Sequence, residues 1–310
     1  MHMAHEISDY FPGGDAPHLR LIEVDAPPAS EARPDPHNIA EAVLPVANLL
    51  AGAPFAVITG AGISTDSGMP DYRSPGSAPR RPMTYQQFMA DPRMRQHYWA
   101  RNHSGWLRPF TSIPNEGHLA LAELERAGLV TGIITQNVDR LHSRAGSRNV
   151  VDLHGRYDRV LCTQCGKAFR RAVIHELLTQ LNPRWPIRQG GEVAPDADLE
   201  VGDTSTFRVA DCPACGGILM TDVVWFGGKV HPRSIERARK IIDDAAAVLV
   251  AGSSLAVGSA LRYVRQAAKA HKPVAIINRG KTRGDKFANV RLSAGTSTAL
   301  PQLAAQLLRN

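Results

Sequence analysis

Long apolar runs are missing from this chain. Nothing approaches the roughly 20 consecutive apolar residues that a membrane helix needs, so no membrane span is expected. Aromatics are sparse at 6%, and no Lys/Arg run or RNA-binding signature accompanies the net charge of +7. A general surface excess explains that charge, and nucleic acid is disfavoured as a partner. The opening residues lack the pattern of a secretory signal, and they are too acidic for a transit peptide. Glu6, Asp9, Asp15, Glu23, Asp25, Glu31 and Asp35 stand there against Arg20 and Arg33, among several prolines. Residues 1–37 therefore read as a disordered or extended tail. No internal repeat interrupts the remainder.

Cysteine is equally scarce, with four in 310 residues, but all four fall in CxxC pairs, Cys162/Cys165 and Cys212/Cys215. Without a secretory signal a reducing, cytoplasmic setting is expected, and paired CxxC there indicates metal rather than disulfide. Each pair lies in a knuckle, CTQCGK and CPACGG, whose glycine lets backbone amides turn towards the sulfurs. Two knuckles supply the four soft ligands of one closed structural zinc site. His154 lies eight positions before the first pair, in LHGRYDRVLCTQC. Four thiolates complete the site without it, although a Cys3His arrangement stays open from spacing alone.

The rest of the chain alternates. Helical spacing of apolar residues runs from about Asn38 to Leu50, and PFAVITGAGIS follows as an apolar strand that stops at glycines. Further strand candidates are 129–137, 245–254 and 273–278, separated by helices at His118–Arg126, Pro232–Asp243 and Ala256–Ala270. The pattern predicts an α/β fold, a doubly wound, parallel, Rossmann-like sheet with ligands beyond the carboxyl ends of its strands. Those ends read GAGIS, TQNVD, GSS and INRG. Two segments break the alternation, so a smaller helical and zinc-ribbon domain is expected from 74–110 and 159–224. The Rossmann-like, nucleotide-binding domain then comprises 38–73, 111–158 and 225–310. The acid-rich stretch GGEVAPDADLEVGD between the knuckles reads as a mobile loop.

Seven separate motifs carry a family resemblance: GAGISTDSGMPDYR, TQNVDRLHSRAGS, DLHG, the CxxC pairs, DVVWFGG, GSSLAV and IIN. In this order over residues 38–310 they resemble the sirtuins, and PDYR with RQHYWARNHSGW resembles their class II branch. The resemblance implies an NAD-dependent protein lysine deacylase, which moves an acyl group from lysine to ADP-ribose and releases nicotinamide. A protein mono-ADP-ribosyltransferase using the same NAD site is the alternative. NAD would be a consumed co-substrate, the zinc structural, and the partner an acylated-lysine protein or peptide.

On the same resemblance His154 is the general base, and Asn137 and Asp139 are catalytic. Gly60, Ala61, Gly62, Ile63, Ser64, Asp71, Tyr72, Arg73 and Gln136 would contact the cofactor, together with Gly252, Ser253, Ser254, Asn278, Arg279, Gly280 and Thr296. Val224, Trp225, Phe226 and Gly227 would line the substrate. A helix-capping role for Asp139 stays open. Tyr98 and Arg101, at i and i+3 on one helical face, match a pair that holds acidic acyl groups in some sirtuins, which implies a dicarboxylic or other bulky acyl chain. Internal packing of Tyr98 and an internal salt bridge of Arg101 are the competing reading.

Overall fold

The computed structural model describes residues 35–71, 83–186 and 201–309. Tyr72, Arg73 and most of the expected mobile loop lie outside them. Nine strands form among the described residues: β1 (Phe55–Thr59), β2 (Val130–Thr135), β3 (Val150–Asp152), β4 (Gly155–Cys162), β5 (Ala168–Arg170), β6 (Leu219–Val223), β7 (Ala247–Ala251), β8 (Val274–Ile277) and β9 (Val290–Leu292). Six make one sheet in the order β3-β2-β1-β7-β8-β9, every pairing parallel. The chain winds outward in one direction from β1 and in the other from β7, so the switch point of this doubly wound sheet lies between those two strands.

Side-chain alternation explains why the central strands are apolar throughout. Val57 and Leu249 point to one face, where Leu121 of helix Glu116–Arg126 and Leu300 and Leu303 of helix Thr296–Leu307 cover them. Ile58, Val250 and Ile276 point to the other, under Ile241 and Ile242 of helix Pro232–Asp244 and Leu261 and Val264 of helix Gly258–Lys269. Burying both faces removes the polar half of the usual strand pattern.

The second sheet is antiparallel, in the order β5-β4-β6. Phe88, Tyr98, Trp99, Leu219 and Trp225 form its core with helices Tyr85–Ala90, Pro92–Gly105 and Arg171–Leu181. Strand β4 runs through the expected domain boundary between residues 158 and 159, and only Leu153 and His154 separate it from β3 of the six-stranded sheet.

The structure differs from the sequence expectations in three places. The helix expected over 38–50 is two, Ile39–Ala42 and Leu44–Leu50, because Pro45 lacks an amide proton and begins a new first turn. Edge strands β3 and β9, at three residues each, are too short to leave a periodic signal. The expected tail 1–37 is anchored near its end: Asp35 takes both Nε and Nη2 of Arg279, at 3.0 and 2.9 Å, and the Gly295 amide and the Thr298 hydroxyl at 2.9 Å each. The Arg279 hydrogen bond is the largest influence holding the Asp35 carboxyl below its usual pKa.

Candidate active site and metal centre

Two loops meet at the switch point. After β1 the chain turns through Gly60–Ile63, and the Gly62 amide donates to the Gly252 carbonyl, just past β7, at 2.9 Å. Gly252 has φ +62, and a Cβ there would lie 2.4 Å from the Ile63 nitrogen. A Cβ on Gly60 would lie 2.8 Å from Ser253 Oγ, and one on Gly62 3.0 Å from the Gly252 oxygen. The absent side chains allow backbone to meet backbone and leave a floor of amide groups at the strand ends. Ala61 and Ser254 are half-buried beside this floor, and Asp71 is half-buried where the first described segment ends.

Residues after β2 bind both loops. Gln136 Nε2 donates to Ser253 Oγ at 2.7 Å. Asn137 Nδ2 donates to the Gly60 carbonyl and to Ser64 Oγ, both at 3.0 Å. Ser64 in turn donates to Asp139 Oδ2 at 2.7 Å, while Asp139 Oδ1 accepts the Leu141 amide at 2.9 Å. The capping reading of Asp139 thus describes one of its two oxygens. Burial raises the Asp139 pKa, opposed by the hydrogen bonds from Leu141, Ser64 and Asn137. Arg140, at φ +64, forms an ion pair with Asp152 at the end of β3 and ties this loop to the sheet edge.

His154 stands two residues past the end of β3 and is 8% exposed. Its Nε2 lies 2.7 Å from Ser259 Oγ, and the ring is also hydrogen-bonded to the Gln136 backbone. Desolvation lowers its pKa to about 4, against the pull of the Gln136 bond, so the imidazole is neutral near pH 7. The His154 carbonyl accepts the Val224 amide at 2.7 Å, which fixes the Val224–Gly227 segment beside it. In that segment the Phe226 carbonyl accepts the Tyr85 amide at 3.1 Å, and Trp225 packs 4.5 Å from both Phe88 and Tyr98.

Other expected contacts disperse along the same edge. Asn278 donates its amide to the Arg279 and Gly280 carbonyls at 2.7 and 3.3 Å, and Thr296 Oγ1 reaches the Gly62 carbonyl at 3.3 Å. Arg279 is engaged by Asp35, as described. Tyr98 is 7% exposed, with its hydroxyl 2.5 Å from Thr221 Oγ1; Arg101, one turn on, is half-buried.

Sequence reading missed several groups the structure brings in. Ser259 and Asp35 are two. His118 is a third, with Nε2 3.4 Å from Ser64 Oγ, Nδ1 3.0 Å from Asn115 Oδ1, and a pKa lowered by burial to about 4. His142 is a fourth, bonded to Thr59 at 2.9 Å and driven well below its usual pKa, chiefly by burial. Only His142 carried a local signal, its place within TQNVDRLHSRAGS.

The four cysteines converge at one end of the three-stranded sheet, their sulfurs all within 4.8 Å of one another. Cys162 and Cys215 are 3.5 Å apart and Cys165 and Cys212 3.9 Å. Zn–S bonds of about 2.3 Å would place tetrahedral sulfurs roughly 3.8 Å apart, so the cluster has the dimensions of a structural zinc site. Amides of Gln164 and Cys165 point at Cys162 Sγ and that of Ala214 at Cys212 Sγ, each at 3.4 Å. The turns close through Gly166 and Gly216, both at positive φ. His154 is not part of this cluster.

A doubly wound α/β protein with a polar crevice at its switch point and an attached four-cysteine centre is the class these features define. The Sir2 family model matches residues 60–259, and the chain belongs to the Sir2 family. It is 53% identical over 263 residues to NAD-dependent protein deacetylase 1 of Mycobacterium avium, covering 84% of this chain and 93% of that one. It is 44% identical over 267 residues to NAD-dependent protein deacylase SIR4 of Monosiga brevicollis, covering 84% and 87%. Among solved structures, a Sir2 homologue–NAD complex superposes with a TM-score of 0.67 at 28% identity, over 86% of this chain and 93% of that one. A Sir2–p53 peptide–NAD+ complex gives 0.67 at 26% identity, over 86% and 97%. No helix among the described residues is long and apolar enough to cross a membrane.

Proposed function

We propose that the protein is an NAD-dependent lysine deacylase, transferring the acyl group of a modified lysine to ADP-ribose with release of nicotinamide. The observation that carries this reading is the placement of a buried, neutral His154 beside the Ser64–Asn137–Asp139 hydrogen-bond network at the switch point. NAD supplies the ribose carbon to which the acyl oxygen bonds and the nicotinamide that departs. Its diphosphate suits the floor of Gly60, Ala61, Gly62 and Ser64 with Gly252, Ser253 and Ser254, whose close approach a side chain on Gly60, Gly62 or Gly252 would prevent. Ile63 and Asp139 hold the carboxamide, Gln136 and Asn137 the ribose, and Asn278, Arg279, Gly280 and Thr296 the adenosine end. By the family resemblance Asp71, Tyr72 and Arg73 would contact the cofactor as well, the last two lying outside the described residues. His154 then accepts a ribose hydroxyl proton, for which a neutral imidazole in a dry site is suited.

The substrate peptide lies along Val224–Gly227, with Phe226 in the wall of the acyl-lysine channel. Within this proposal, 74–110 and 159–224 form the metal-bearing module and the remaining residues from 38 onward the cofactor domain, in a reducing, cytoplasmic setting. The finer reading, a dicarboxylic acyl group, rests on Arg101. Tyr98 joins it only when a substrate carboxylate replaces Thr221 as the partner of its hydroxyl.

The test is mass detection of acyl-ADP-ribose from NAD and a panel of acetyl, lipoyl, long-chain, succinyl, glutaryl and branched dicarboxyl peptides. His154→Ala should lower product formation by about 10²- to 10⁴-fold. Turnover of acidic chains that is lost in Arg101→Ala, with neutral chains spared, supports the clamp. Absence of acyl-ADP-ribose from every peptide sinks the deacylase reading.

A further inference from the structure

His154 is bonded on its Nε2 side to a residue that has no part in the site as proposed so far. Ser259 stands in the first turn of helix Gly258–Lys269, 105 positions further along the chain, and is 6% exposed. Its Oγ lies 2.7 Å from Nε2, while the ring's other bond is to the Gln136 backbone and raises its proton affinity. A hydrogen bond that favours the protonated ring is one in which the ring donates, so the single N–H of the neutral imidazole goes to Gln136. Nε2 is left as the acceptor, and the seryl hydroxyl donates to it.

The two bonds come from opposite sides of the crevice. Gln136 follows β2, and Ser259 follows the loop after β7. Together they leave the ring one tautomer and one plane. A ring held at one point only would exchange tautomers and rotate, and a base must present its lone pair along a fixed direction to a substrate hydroxyl.

We infer that Ser259 is a positioning residue for the base: it holds His154 in the tautomer whose Nε2 takes the ribose proton. This rests on the deacylase reading of His154. In the transfer the ribose hydroxyl takes the place of the seryl hydroxyl at the Nε2 lone pair. Its O–H bond breaks as an Nε2–H bond forms, and the ribose oxygen bonds to the acyl carbon while that carbon's C=N π pair moves to the lysine nitrogen. Once the ribose oxygen has left the ring, the seryl hydroxyl turns from donor to acceptor and takes the new N–H. A residue without a hydroxyl can do neither.

Four variants of the full-length protein test this: Ser259→Ala, Ser259→Thr, His154→Ala and the double variant Ser259→Ala/His154→Ala. Ser259→Ala should lower kcat for acyl-ADP-ribose formation by roughly 10-fold, the loss of about one hydrogen bond to the base. KM for NAD and the rate of nicotinamide exchange, which precede the proton transfer, should stay within about twofold of the unmodified protein's. Ser259→Thr, which keeps the hydroxyl, should restore most of kcat, and the double variant should be no slower than His154→Ala alone. Independently of activity, 15N NMR of labelled imidazoles should find His154 with its proton on Nδ1 in the unmodified protein and in a tautomer mixture in Ser259→Ala. An unchanged kcat in Ser259→Ala, a wild-type proton on Nε2, or a loss that Ser259→Thr fails to restore would each overturn the inference. If His154→Ala itself keeps full product formation, the base reading has failed, and that result is distinct from any of the others.

Discussion

The two sheets solve the problem of an interior in opposite ways. Around the six-stranded sheet, β1, β7 and β8 are buried at every position, and apolar helix faces close both sides. Around the three-stranded sheet the interior holds charge. Arg171 is 1% exposed, donates to Asn102 Oδ1 at 3.2 and 2.9 Å, and lies 5.4 and 5.0 Å from the Trp99 and Trp106 rings. No carboxylate pairs with it among the described residues. His103 sits 4.3 Å from His175, and desolvation is the main cause of their lowered pKa values, about 3 and about 4. Hydrophobic burial suffices for the large sheet. The small one depends on aromatic faces for its cation, on neutral histidines and on a metal, and each dependence can be attacked separately.

All four tryptophans, Trp99, Trp106, Trp185 and Trp225, surround the small sheet, so their fluorescence reports on that region alone. The largest effect should come from chelation or Cys165→Ser. Structural zinc contributes on the order of 10 kcal/mol in small sites. The tryptophan signal should shift to that of exposed indole while the far-ultraviolet helical signal, mostly from the large sheet's helices, is largely kept. Simultaneous loss of both would show that the two regions do not separate.

Acid should act next. An unfolded histidine takes up a proton near pH 6.5 and His103 only near 3. The unfolded state therefore binds more protons as pH falls below 6.5, and stability drops by about 1.4 kcal/mol per pH unit from His103 until its folded pKa is passed. His103→Phe should flatten this slope in denaturant titrations followed by tryptophan fluorescence between pH 6.5 and 4.5. An unchanged slope would place the acid sensitivity elsewhere.

On the large sheet, Gly252→Ala forces a side chain into positive φ against the Ile63 nitrogen. The strain is about 1–3 kcal/mol, and it should appear as a raised KM for NAD with zinc content and tryptophan emission unchanged. The smallest effect should follow Asp35→Ala, roughly 1 kcal/mol for a half-exposed ion pair and a helix cap. A few degrees' fall in Tm and a modest rise in KM for NAD are expected, since Arg279 loses its anchor. Because the Asp35 pKa is lowered, its contribution is present above pH 4 and fades below it.

Local pattern announced most of the large sheet. The strand ends GAGIS, TQNVD, GSS and INRG meet as expected, because alternating apolar strands and helices allow few windings. The cysteines announced their cluster through spacing. What stayed hidden was pairing across long separations: Asp35 meets Arg279 and Ser259 meets His154 with nothing in the intervening sequence to mark either bond. Spacing placed Tyr98 and Arg101 on one face, but the partner of the Tyr98 hydroxyl, Thr221, is 123 positions away. The edge strands were too short to show a period at all.

The contact between Gly62 and Gly252 also sets an order of events during synthesis. Strand β1 leaves the ribosome early, yet its neighbour β7 follows the whole metal-bearing segment. Until β7 emerges, one flank of β1 is an open edge, apolar but for Thr59, and the cofactor floor does not exist. The four-cysteine centre, by contrast, is complete once Cys215 is out. The nascent chain can load its metal before it has anywhere to put a nucleotide, and an arrest between these points leaves a metal-loaded intermediate with an adhesive strand.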